Sequence, residues 1–351
     1  MLLNLRWLNL SGLNYLRLLP PMFTISKWIN IQYLELPCHS GLVKVKADDF
    51  IDLMMLEAFA GNFHDLHHFN AYIRTMQAGN FGLRSYILQL GFHVNPVVYD
   101  TKLEKDWKVV VIESSYEETP ILLPVDIGEL YISDIWEGKP LCQIFVSSTA
   151  TSLRLFDINC IDDLEIEYLL CFSSSCSFCT SLQNLEVLNL YHLTISYVIP
   201  KENEARGIFS CLKTLEIWGC NTIKKLLTPG FLSCIPNIQS IKVLWCKSIK
   251  EIFSAEEEEG GISIEELFST EEEGGGQGAE SFVGSLAGIY TTDVAPVSTI
   301  NLPKLVSLNL VDLPELISVS HGIIVCDPLI NYSAIACPKL KRPPQFCPQS
   351  R

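Results

Sequence analysis

The feature that most constrains this chain is a register of apolar residues, LxxLxLxxCxxLxxL, that returns at nearly constant spacing. It runs Leu212, Leu215, Ile217, Cys220, Ile223, Leu226 and again Ile238, Ile241, Val243, Cys246, Ile249, Ile252, a step of 26 residues from Leu212 to Ile238. Further copies run Leu185, Leu188, Leu190, Leu193 and Leu305, Leu308, Leu310, Leu313, Leu316, Val319, with 27 residues from Leu185 to Leu212. Near the start, Leu5, Leu8, Leu10, Leu13, Leu16 and Leu19 lead to Pro20, and Ile31, Leu34 and Leu36 follow 26 residues after Leu5. A fixed period of this length is the mark of a stacked array.

Within each copy the two apolar residues of xLxLx share one face of a short strand, and their neighbours face the other way. One repeat cannot cover its own apolar face. Stacking buries the columns against each other and pairs each strand with the next, about 4.8 Å away. The expected fold is an α/β leucine-rich-repeat solenoid, a curved horseshoe with a parallel β-sheet on the concave face and helices and loops on the convex face. Cys220, Cys246 and Cys337 follow the strand at a turn site where many such repeats carry Asn. They are expected to be buried structural thiols.

The register divides the chain. Residues 1–40 are expected to form N-terminal repeats, 41–125 degenerate repeats, 126–254 repeats again, 255–299 an acidic insertion and 300–351 the C-terminal repeats. In the degenerate stretch, Phe50, Leu53, Met54 and Ala58 have helix-like spacing and predict convex helices over Asp48–Met76. Leu123–Ile135 reads as the strand that resumes the stack. Between Glu251 and Glu280 stand eleven Glu and no Lys or Arg, which is −11 of the net −15, with glycines at Gly260, Gly261 and Gly274–Gly276. Charge repulsion and glycine entropy predict a disordered, solvated loop, with a docking tail for a basic surface as the alternative.

Function classes fall away in turn. A net charge of −15 opposes nucleic acid and anionic membranes as partners. No run of eighteen apolar residues offers a membrane span, and Arg6 and Arg17 interrupt the apolar opening that might otherwise read as a signal peptide. The thirteen Cys lack a dense framework and fit reduced thiols in the cytoplasm. His64, Asp65, Leu66, His67, His68 is a variant of the zinc-protease helix motif, but Asp is too short to place the base and no third ligand follows. Cys176 and Cys179, with Cys171 nearby, lie in CFSSSCSFCTS, which reads as a Ser-rich loop. There is no phosphate-binding G-x-x-x-x-G-K-[ST] and no G-x-S-x-G. No catalytic residue, metal site or cofactor is expected.

What remains is a surface. In register, outward residues form three columns: Val187, Thr214, Ser240, Ser307; Asn189, Glu216, Lys242, Asn309; and Tyr191, Trp218, Leu244, Val311. An apolar and aromatic column beside a polar one suits a protein-binding patch. The alternative is that Tyr191 and Trp218 cover neighbouring strands.

The segments FSCLKTLEIWGCNTIKKLLTPGFLSCIPNIQSIKVLWCKSIKEIFSAEEEE and LPKLVSLNLVDLPELISVS resemble the C-terminal leucine-rich-repeat region of plant coiled-coil nucleotide-binding (NLR) disease resistance proteins. NLRWLNLSGLNYLRLLP is similar to an earlier repeat of that region. The resemblance implies a cytoplasmic immune receptor whose repeats sense a pathogen effector or a guarded host protein. It also implies that they restrain the receptor's own nucleotide-binding module. It does not extend to coiled-coil or nucleotide-binding segments, so nucleotide exchange and signalling are not carried over. The rival reading is the substrate-recognition subunit of an F-box-type ubiquitin ligase, which also uses Cys-containing repeats, although no F-box-like segment precedes these.

Overall fold

Strands form where apolar and polar residues alternate, and their spacing along the chain sets which strand each one meets. The computed structural model describes residues 4–13, 16, 25–37, 43–79, 82–91, 103–113, 120–133, 139–147, 152–159, 166–170, 176–198, 207–254, 299–327 and 329–348. The acidic segment 255–298 and Cys171 lie outside them.

The main sheet takes its strands in chain order. They are Trp7–Asn9, Tyr33–Glu35, Ala58–Phe63, Ser85–Leu90, Lys108–Glu113, Glu129–Ser133, Leu155–Asn159, Val187–Tyr191, Thr214–Trp218, Ser240–Leu244, Ser307–Val311 and Asn331–Ile335, with Lys44–Val45 beside Ala58–Phe63. Every pairing is parallel. The chain is therefore a leucine-rich-repeat solenoid, each turn adding one strand to the growing edge.

The inward residues build one continuous core. Leu188, Leu190, Leu215, Ile217, Ile241, Val243, Leu308 and Leu310 are all buried in it, as are Cys220 and Cys246. Short parallel ladders close the core on its other side. Lys225–Leu227 pairs with Glu251–Phe253 and that with Ser318–Ser320; Ile166–Tyr168 pairs with Ile195–Tyr197; Ile121–Leu123 pairs with Phe145–Ser147. Helices among the described residues are few and mostly of one turn.

The last five repeats of the sheet turn away from it on one left-handed residue. His192, Gly219, Trp245, Asp312 and Ala336 stand immediately after five successive strands with φ of 57°, 68°, 54°, 54° and 55°. The residue that follows each points inward: Leu193, Cys220, Cys246 and Leu313 are buried there. For the four non-glycine residues the left-handed conformation costs roughly 1–2 kcal/mol each. The backbone N–H groups at the turns are satisfied across repeats, for example His192 to Trp218 O at 2.7 Å and Trp245 to Val311 O at 2.9 Å. At Gly219 a Cβ would stand 2.5 Å from His192 Nδ1, so a larger residue there would have to displace that ring.

Two expectations need correction. The helix predicted across Asp48–Met76 is interrupted: a 3-10 turn at Ala47–Phe50 and the strand Ala58–Phe63 precede a helix confined to Leu66–Gln77. Met54 contributed to the helical spacing but is 63% exposed. The helix begins at Asp65, whose carboxylate accepts from His68 N at 2.8 Å. Leu66, Phe69, Tyr72 and Ile73 form its buried stripe. Cys337, the third of the expected structural thiols, is only half-buried, because its strand Asn331–Ile335 ends the described sheet and has no neighbour beyond it.

The strands Ala58–Phe63, Ser85–Leu90 and Lys108–Glu113 are buried on both faces. Their outward residues Ala60, Ile87, Val109 and Val111 pack with Tyr33, Tyr131 and Leu103 in a second cluster, with Trp107 against it. These three strands are thus covered on their outward side, whereas Trp7 and Asn9 of the first strand are exposed and the outward residues from Val187 onward are partly exposed.

Two measurements test this architecture. Leu215→Ala is expected to lower the unfolding free energy by about 2–5 kcal/mol in urea titrations, as for other large-to-small core changes. Burial pushes the Cys246 thiol up to about 11 and raises that of Cys220 as well. Alkylation of the native chain followed by peptide mapping is therefore expected to label exposed Cys347 far ahead of either.

Candidate functional site

The three outward columns form on the open part of the sheet. Val187, Thr214, Ser240 and Ser307 are partners across successive strands, as are Asn189, Glu216, Lys242 and Asn309, and Tyr191, Trp218, Leu244 and Val311. All twelve are partly exposed, in strict alternation with fully buried neighbours.

The central column is a polar ladder. Asn189 Nδ2 donates to Asp157 Oδ2 at 3.0 Å, and Lys242 Nζ pairs with Glu216 Oε2 at 3.2 Å. Asp157 extends the column by one strand, since Leu155–Asn159 pairs with Val187–Tyr191 in register. It is buried. That burial pushes its pKa up to about 6, a shift opposed by the Asn189 hydrogen bond and reinforced by the charge of Glu216.

The third column is aromatic. The Tyr191 and Trp218 rings lie 6.1 Å apart, and Trp245 meets Trp218 edge-on at 4.4 Å and 75°. Trp245 is 45% exposed and occupies the left-handed turn position. Sequence reasoning missed it because only strand positions were aligned, and Trp245 stands one residue past the strand. The strained turn directs its ring back along the strand ends.

The chemical motifs resolve differently. Asp65 serves as the cap of the helix Leu66–Gln77 and also contacts His64 Nδ1 at 3.2 Å, so its carboxylate is engaged by its own helix and the preceding residue. The His64 and His68 rings are 6.2 Å apart, and no third donor joins them among the described residues. The Ser-rich loop reading of Cys176 and Cys179 is corrected: Cys176 caps a short helix, Ser177–Ser181, that carries Cys179. Cys142 joins them from a distant part of the sequence. Its Sγ is 3.4 Å from that of Cys179, and all three sulfurs lie within 4.8 Å of one another.

The class is that of the leucine-rich-repeat solenoids. More particularly, residues 181–273 match the family of plant disease resistance protein RPS2-like leucine-rich repeats. That stretch contains the strands Val187–Tyr191, Thr214–Trp218 and Ser240–Leu244, and with them nine of the twelve column residues. The chain matches no curated protein. No helix among the described residues is long and apolar enough to cross a membrane.

Asp157 yields a prediction with a definite sign. The folded state holds its proton more tightly than the unfolded chain, so this group's contribution to stability is lost as pH rises from about 4 to about 6. Asp157→Asn, which keeps an oxygen for Asn189, is expected to remove that loss. Unfolding titrations across this range should show the variant gaining roughly 2 kcal/mol over the wild type by pH 7.

Proposed function

We infer that the sheet face from Val187 to Val311 is a non-catalytic protein-binding surface. In this reading it is the effector-sensing and autoinhibitory region of a cytoplasmic plant immune receptor. The observation that carries the reading is the aromatic ladder of Tyr191, Trp218 and Trp245, set beside two polar columns on an open sheet. Trp and Tyr are enriched among the residues that carry the energy of protein interfaces. The polar ladder supplies orientation and selectivity at the same surface.

The likeness of residues 181–273 to resistance-protein repeats supports placing the surface in plant defence. The partners proposed are a pathogen effector or a guarded host protein, and the receptor's own nucleotide-binding module where the same polypeptide carries one. Repeats at 126–254 and 300–351 form the recognition part in this proposal, with the acidic segment between them.

The triple variant Tyr191→Ala, Trp218→Ala, Trp245→Ala tests it. All three side chains are partly exposed, so circular dichroism and thermal unfolding are expected to stay close to wild type. Quantitative pull-downs from plant extract should show specific partners of the wild-type chain reduced at least tenfold with the variant. A folded variant that keeps the same partners at the same level rejects this face.

A further inference from the structure

We propose that Cys142, Cys176 and Cys179 form a three-thiolate site for a thiophilic d10 cation, with zinc(II) as the ion it takes. The cluster joins two successive repeats on the side of the core away from the main sheet. Cys142 lies in the short helix Leu141–Ile144, held by the hydrogen bond from Leu141 N to Leu169 O at 3.1 Å, while Cys176 and Cys179 open the next helical turn.

The spacing suits an ion. A tetrahedral centre with Zn–S bonds of about 2.3 Å holds its sulfurs about 3.8 Å apart. Here the Cys142 and Cys179 sulfurs are 3.4 Å apart and all three are within 4.8 Å, which brackets that distance. The backbone N–H of Cys179 points at Cys176 Sγ at 3.4 Å, the orientation that supports charge on a bound thiolate. Phe178 and Phe145 stack behind the cluster with centroids 5.4 Å apart and are fully buried. Cys142 and Cys176 are half-exposed, so an ion has a way in.

Loading exchanges cation for protons, because thiols bind metal as thiolates: three thiols and one Zn²⁺ give a trithiolate complex of net charge −1 and release three protons to solvent. Water or a small thiol completes the fourth position. Affinity consequently rises with pH. A disulfide would employ two of the sulfurs, leave the third unused and require an oxidant.

The test uses the full chain, reduced and stripped of metal. Zinc is titrated against a chromophoric chelator, and cobalt(II) is added separately to read thiolate-to-metal charge-transfer absorption. Wild type is expected to take one equivalent with a thiolate–cobalt band and a zinc-dependent rise in Tm. Cys142→Ser and Cys176→Ser, both at half-exposed positions, should each weaken zinc at least tenfold, and the triple serine variant should abolish the band. Cys347→Ser, at an exposed position, should change nothing. Failure of the reduced wild type to bind one equivalent overturns the site, as does undiminished binding by the triple variant.

Discussion

No strand of this protein can bury its own apolar residues, and every other feature depends on that constraint. Leu215 and Ile217 are sealed by Leu188 and Leu190 on one side and by Ile241 and Val243 on the other, each pair in parallel register. Removing water from a large aliphatic side chain is worth about 1.5–3 kcal/mol, but here that gain exists only while the neighbouring repeat is in place. Stability is shared along the stack, as in other quasi-one-dimensional proteins. The left-handed turns after the strands are tolerated because this shared burial outweighs a local cost at His192, Trp245, Asp312 and Ala336.

The same constraint frees the opposite face. Once inward positions carry the stability, the alternate residues can vary without loss of the fold, and from Val187 onward they do: small polar groups, an acid–amide–lysine ladder and aromatic rings stand in three columns. The division of labour is physical, since alternation places the two sets of side chains on opposite sides of the sheet. It breaks down between Ala58 and Glu113, where Ile87, Val109 and Val111 are apolar on the outward side as well and pack with Leu103. A parallel sheet buried on both faces reads as a continuous apolar run, and KVVVIE is such a run.

That difference explains how much was legible. Between Leu185 and Val319 the register predicted strands, inward residues and outward columns, because one face was polar and the period stood out. Between residues 41 and 125 it did not, since the outward residues no longer contrast with the inward ones and the spacing of Phe50, Leu53 and Met54 mimicked a helix. Trp245 escaped because its role depends on a backbone turn, a property that an aligned apolar pattern does not display. The thiol cluster escaped for a related reason: Cys142 is 34 residues from Cys176, and no motif of local spacing connects them.

By itself the sequence determined the class of fold, the direction of growth and which residues of the regular repeats face the core, because periodicity is a local property written once per repeat. Tertiary structure alone decided which strands are covered on their outward side, that Trp245 extends the Tyr191–Trp218 ladder, that Asp157 is buried enough to hold its proton to about pH 6, and that Cys142 meets Cys176 and Cys179. Each of these follows from how neighbouring repeats lie against one another, and distance in space between repeats is not encoded in the spacing within any one of them.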